Sequence, residues 1–217
     1  MTFPASDTVR PPSSRREQGP GLELDAWGAV FCGGASARMG RDKALLVLAG
    51  EPLVGRAARV LAAVAPRVLL ACGSAPRYAE LGHELVLDRE AHGGPLAGLE
   101  AVLARLEGAD AVYACALACD MPYVDESVFR TLLARARASH AEVALLETDE
   151  GPEPLCGVYH RAALPAVRAA LARGARRMIA FHADVRVVAV SEAELGRGRA
   201  RNLNTRAEYL AAGGHWT

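Results

Sequence analysis

Long apolar runs are missing from this sequence, and so is any excess of charge. No stretch approaches the roughly 20 apolar residues that a membrane-spanning helix needs, which excludes a helical membrane protein. Lys and Arg number 25, Asp and Glu number 25, and the formal net charge is +0. No global basic field exists to gather nucleic acid or an anionic membrane, so phosphate chemistry must rest on a local site. The five cysteines, at 32, 72, 115, 119 and 156, are an odd number, and no pair has the Cys-x-x-Cys spacing of a zinc site. Cys115 and Cys119 bracket an apolar run, where a free Cys behaves as a small hydrophobe. All five read as reduced thiols of a reducing, cytoplasmic compartment. Residues Met1 to Gly21 lack the apolar stretch of a signal peptide and are rich in Pro, Ser and Arg. With so little to bury, residues 1–25 are expected to be a disordered tail.

What is present is an apolar half. Hydrophobic residues make up 51% of 217 residues, enough for one sizeable core, and 26–213 reads as a single domain. Apolar runs at Gly28–Cys32, Val68–Cys72, Glu84–Leu87, Ala111–Cys119, Glu142–Glu147, Leu155–Tyr159 and Val185–Val190 read as strands. Segments Arg56–Val64, Leu96–Leu106, Glu126–Ala138, Ala162–Arg173 and Thr205–Ala212 have helical spacing, the last with Thr205 placed to cap it. Strands apolar on both faces, alternating with helices, predict an α/β fold with a mostly parallel sheet covered on both sides. In such sheets ligands bind at the carboxyl ends of the strands, so the strand-end loops are the places to search.

The first such loop is Gly33-Gly34-Ala35-Ser36-Ala37-Arg38-Met39-Gly40-Arg41-Asp42-Lys43. Its paired glycines let backbone N–H groups approach a ligand, and Arg38 and Lys43 bring cations for phosphate oxygens. It matches neither Gly-x-x-x-x-Gly-Lys-Ser/Thr nor Gly-x-Gly-x-x-Gly, and a solvated turn would have the same composition. Asp120 follows the longest apolar strand; it suits magnesium shared with substrate phosphates, or a turn before Pro122. Asp88 ends another strand, as a contact to base or ribose or as a turn residue. His92-Gly93-Gly94-Pro95-Leu96-Ala97-Gly98 opens a helix whose N-terminus suits an anion, or is only a tight loop. Asn202 and Asn204, two apart on an extended segment, offer amides to the edge of a heterocycle such as a pterin, or cap the last helix.

In order, Gly33-Gly34-x-Ser36-x-Arg38-Met39-Gly40-x-Asp42-Lys43, Gly94-Pro95-Leu96-Ala97-Gly98, Cys119-Asp120-Met121-Pro122 and Asn202-x-Asn204-Thr205 resemble the MobA family, the molybdenum cofactor guanylyltransferases. The likeness runs from about Ala29 to Tyr209. It implies a three-layer αβα sandwich with a Rossmann-like sheet of the nucleotidyltransferase type. It implies transfer of GMP from GTP to the terminal phosphate of molybdopterin, with Mg2+ on Asp120. Phe31, Cys32, Gly33, Gly34, Lys43, Asp88 and Asp120 would hold the nucleotide, with Lys43, Arg38 and Asp120 catalytic. Gly94, Pro95, Leu96, Asn202 and Asn204 would face the pterin. Molybdoenzyme apoproteins or cofactor-delivery proteins are the implied partners. Two positions depart from the pattern. Cys32 stands where Ala is usual, and Ala71-Cys72-Gly73-Ser74 lacks the Asn that some relatives carry near the base. A cytidylyltransferase and a non-catalytic cofactor carrier are the competing readings.

Overall fold

The computed structural model describes residues 21–33, 41–89 and 93–216. The expected tail up to residue 20 and most of the first Gly-rich loop lie outside them. Nine strands are described: β1 (Ala26–Phe31), β2 (Val47–Leu48), β3 (Glu51–Pro52), β4 (Val68–Ala71), β5 (Glu84–Val86), β6 (Tyr113–Ala118), β7 (Val143–Thr148), β8 (Gly151–His160) and β9 (Val187–Ser191). The helices are α1 (Leu53–Ala62), α2 (Gly94–Arg105), α3 (Glu126–Ser139), α4 (Leu164–Ala172), α5 (Glu192–Leu195) and α6 (Arg206–Ala211).

Seven strands form one sheet in the order β5-β4-β1-β6-β8-β7-β9. Alternation along each strand divides its side chains between two apolar layers. Val30, Leu70, Cys115 and Leu117 face α1 and α3 through Val54, Leu61, Phe129 and Leu132. Ala29, Leu69, Ala114 and Ala116 face α2 and α4 through Leu99, Leu103 and Val167. This is the expected three-layer α/β sandwich. β4, β1, β6 and β5 are mutually parallel, and β7 is parallel to β9.

The exception is β8, antiparallel to both β6 and β7. Only Asp149 and Glu150 separate β7 from β8, and so short a link cannot make a parallel crossover. The strand is also twice as long as the apolar segment Leu155–Tyr159 suggests, because Gly151-Pro152-Glu153-Pro154 joins it despite its composition. The ladder shifts register between Leu145 and Leu146, opposite this proline-bearing end.

Helix bounds also move. α1 starts at Leu53 rather than Arg56, because Leu53 and Val54 are fully buried. α2 starts at Gly94, with Pro95 in its first turn. Thr205 caps α6 as expected: its hydroxyl accepts from the Glu208 N–H at 3.2 Å, and Glu208 returns a bond to the Thr205 N–H at 2.8 Å.

The β2–β3 hairpin was not legible beforehand. Its turn places Ala49 (φ 51°) and Gly50 (φ 83°) in the left-handed region without the usual Asn-Gly signal. The hairpin makes a third apolar cluster in which Leu46, Leu48 and Leu53 meet Leu203 and Tyr209. That cluster brings the C-terminal segment back to the carboxyl end of the sheet, beside Asp120. Among the described residues no helix is long and apolar enough to cross a membrane.

α1 packs on β1 over a missing side chain. A Cβ at Gly28 would lie 2.7 Å from the Leu61 Cβ. Gly28→Ala is therefore expected to cost about 1–3 kcal/mol by forcing α1 away from the sheet. Denaturant unfolding would show a lower midpoint at unchanged slope; an unaltered midpoint would mean that the helix shifts without cost.

Candidate active site

β1, β4 and β6 end side by side, and beyond their carboxyl ends lies a cavity of about 680 Å³. The volume is that of a small-molecule site. Its floor is backbone. A Cβ at Gly33 would meet the Gly73 nitrogen at 2.4 Å and the Cys72 carbonyl carbon at 2.7 Å, so the chains leaving β1 and β4 touch where only glycine fits. One wall is the head of α2. A Cβ at Gly98 would lie 3.2 Å from the Phe31 ring and 3.6 Å from Asp88 Oδ1, so a bare backbone lets α2 sit close to both.

Charge enters at the mouth. Lys43 begins a short 3-10 turn that Asp42 caps, with Asp42 Oδ1 accepting from the Ala44 N–H at 3.1 Å. The Lys43 ammonium forms an ion pair with Asp120, and Lys43 Nζ donates to Asn204 Oδ1 at 2.9 Å. Behind it, Asp42 Oδ2 accepts from the Tyr78 hydroxyl at 2.7 Å and pairs with the Arg77 guanidinium at 3.6 Å. Burial, then the Asp42 bond, pushes the Tyr78 hydroxyl well above its ordinary pKa, so it stays a donor. Arg77 Nη2 donates to the carbonyls of Cys32 and Cys72, both at 3.4 Å. The Lys43 turn and the two strand ends are thus tied through one guanidinium.

Two carboxyls are shifted. Burial raises the pKa of Asp88, half-buried beside Phe31. Burial also raises Glu153, which the neighbouring Asn202 amide partly offsets. Among the described residues no cluster of three His, Cys, Asp or Glu could hold a metal ion unaided. A carboxylate beside a lysine, at the mouth of an anion-sized cavity, suits a hard cation that arrives with phosphates and keeps most of its waters.

Of the residues expected from sequence, Phe31, Cys32, Gly33, Lys43, Asp88, Gly94, Pro95 and Asp120 all line this cavity. Asn202 and Asn204 do not. They flank Asp120 from outside, held there because the Leu203 N–H donates to the Asp120 carbonyl at 2.9 Å. Leu96 is a correction. It is fully buried in the core under α2, and its N–H donates to the Arg176 carbonyl at 3.3 Å, so neither its side chain nor its amide faces a ligand. Gly34, Ser36, Arg38, Met39, Gly40 and His92 lie outside the described residues. Sequence reasoning missed Arg77, Tyr78 and Glu153. None sits in a glycine-rich motif, and the one signal for Arg77 and Tyr78 was their place in the loop that follows β4.

A family model described as "MobA-like NTP transferase domain" matches residues 28–187. A Deinococcus radiodurans protein named "Probable molybdenum cofactor guanylyltransferase" is 39% identical over 150 residues, covering 69% of this chain and 75% of the relative. A protein of the same name from Opitutus terrae is 39% identical over 184 residues, covering 82% and 89%. The crystal structure titled "Molybdopterin-guanine dinucleotide biosynthesis protein A", from Archaeoglobus fulgidus, superposes with a TM-score of 0.70 at 22% identity, covering 86% of this chain and 96% of that one. The last likeness speaks to fold; the family model and the two relatives speak to descent. With the cavity, lysine and carboxylate described above, they place the chain in one lineage: it belongs to the MobA-like NTP transferase family.

Proposed function

We propose that this protein transfers GMP from GTP to the terminal phosphate of molybdopterin, releasing pyrophosphate, in the cytoplasm. The observation that carries the reading is the junction of Lys43, Asp120 and Asn204 at the mouth of a backbone-floored cavity. The names of the relatives support the acceptor and the guanine.

In this reading the nucleotide lies over the backbone of Phe31 to Gly33, with Asp88 accepting from base or ribose. Lys43 turns its ammonium to the triphosphate while Asn204 keeps it at the cavity mouth. Asp120 and the triphosphate oxygens would hold magnesium, which supplies charge neutralisation at the transferring phosphorus. The pterin-side contacts come from Gly94, Pro95 and the Asn202/Asn204 pair. The attacking phosphate is already ionised, so no residue need act as a strong general base. What the chain provides is alignment for in-line attack and fixed positive charge, from Lys43 and Arg38, for the departing pyrophosphate.

The direct test is pyrophosphate release and product mass with molybdenum cofactor, magnesium and GTP, CTP or ATP in turn. A guanylated product formed with GTP alone is expected. A cytidylated product would move the protein to the sister chemistry, and cofactor binding without product would indicate a carrier. Asp120→Asn is expected to abolish turnover while thermal melting shows a folded chain; full activity would remove the metal role. Lys43→Ala is expected to lower turnover at least about a hundredfold, the loss of one preorganised charge contact.

Asp88→Asn separates binding from folding. Because burial raises the folded-state pKa of Asp88 above its unfolded value, its charged form costs stability at pH above that raised value, and the cost vanishes as pH falls below the unfolded pKa. The neutral amide is therefore expected to raise the melting temperature slightly at neutral pH while weakening GTP binding. A lower melting temperature with unchanged affinity would overturn the assignment.

A further inference from the structure

Cys32 and Cys72 occupy equivalent places at the ends of adjacent parallel strands, one residue beyond the paired Phe31 and Ala71. Neighbouring strands run about 4.8 Å apart, inside the Cα separation that a disulfide spans. Their Sγ atoms already lie 3.8 Å apart. Both are free thiols of residues that line the cavity, with relative exposures of 6% and 1%, and both side chains sit in the apolar layer under α1 and α3. Closing the gap to a bond of about 2.05 Å asks for side-chain rotation and a small approach of the two strand ends.

The shared hydrogen bond with Cys32 lowers the pKa of Cys72, and Arg77 acts in the same direction. Cys32 is raised, first by that same bond and then by burial. Cys119 also lines the cavity, but it follows β6, on the other side of β1 from Cys72. Either sulfur can donate in the hydrogen bond between Cys32 and Cys72, so either can be the nucleophile; with Cys72 attacking, Cys32 is the resolving partner.

We propose that Cys32 and Cys72 are a peroxide-sensitive modification site, closing to a disulfide across the floor of the cavity and lowering nucleotide binding. The effect on binding rests on the nucleotide reading above; formation of the bond does not. The oxidant is a small hydroperoxide, because both residues are almost wholly buried. The Cys72 thiolate attacks one peroxide oxygen, hydroxide leaves and takes up the proton that the Cys72 thiol released, making the first water, and Cys72 becomes a sulfenic acid. Cys32 sulfur then attacks Cys72 sulfur, the sulfenic oxygen departs, and the Cys32 proton completes the second water. Two thiols are oxidised and one hydrogen peroxide is reduced to two waters. The new bond pulls on the junction where Gly33 and Gly73 touch, which is the surface the nucleotide would rest on.

The test treats the full chain with hydrogen peroxide and follows intact mass, peptide mapping and GTP binding. Expected are loss of two hydrogen masses, a Cys32–Cys72 cross-linked peptide, and GTP binding weakened at least about tenfold, all reversed by dithiothreitol. Cys72→Ala should give no cross-link, and its own GTP affinity should not change on peroxide treatment. A folded chain that forms no such bond, or one that bonds through Cys119, overturns the proposal. A Cys32–Cys72 bond that leaves GTP affinity unchanged overturns the switch. Reduced protein that binds no GTP refutes the nucleotide reading instead, while the mass measurement still judges the thiol pair.

Discussion

One ammonium group joins the parts of this protein that matter for phosphate chemistry. Lys43 meets Asp120, 77 positions later, and Asn204, 161 positions later. The three come from the loop after β1, the end of β6 and the segment before α6. Side-chain exposures of 18% for Lys43 and 17% for Asp120 leave the pair partly sheltered from solvent. The third apolar cluster packs next to this junction. Leu203 and Tyr209 anchor the C-terminal segment against the β2–β3 hairpin, and the Tyr209 hydroxyl donates to the Val47 carbonyl at 2.5 Å. Without that packing Asn204 would have no reason to sit beside Lys43.

A second constraint is contact without side chains. Where β1 and β4 end, Gly33 lies against Gly73, and Gly98 lets α2 approach Phe31 and Asp88. These contacts make a floor of backbone dipoles and a wall that is partly apolar. Asp88 sits between the two, which is why burial works against its charged form. Arg77 stitches the same floor from behind through the carbonyls of Cys32 and Cys72, and through Asp42 to the lysine turn. The shape of the cavity and the position of its cation therefore depend on one small network.

Much of this was legible in the chain. Apolar runs longer than a turn but shorter than a helix marked the buried strands, and Gly33, Asp88 and Asp120 beyond their ends marked where the cavity lies, because strands of a parallel sheet end together. Leu96 misled: a motif residue, it turned out to be a core residue, since the helix that starts at Gly94 directs it inward. β8 misled in another way. Its first residues, Gly151-Pro152-Glu153-Pro154, carry no strand propensity, and pairing to β7 overrides that. Glu153 stayed invisible for the same reason.

The sequence by itself determined the α/β class and that a cavity would open at the carboxyl ends of the strands. It could do so because periodicity and glycine placement are local properties. The tertiary structure alone decided that Lys43 pairs with Asp120, that Asn204 serves the lysine while Asn202 lies beside Glu153, that Arg77 ties the floor together, and that Cys32 and Cys72 are neighbours. Each of these is a meeting of residues far apart in the chain, set by strand order and by the packing of a small apolar cluster, and no local pattern encodes a distance across a sheet.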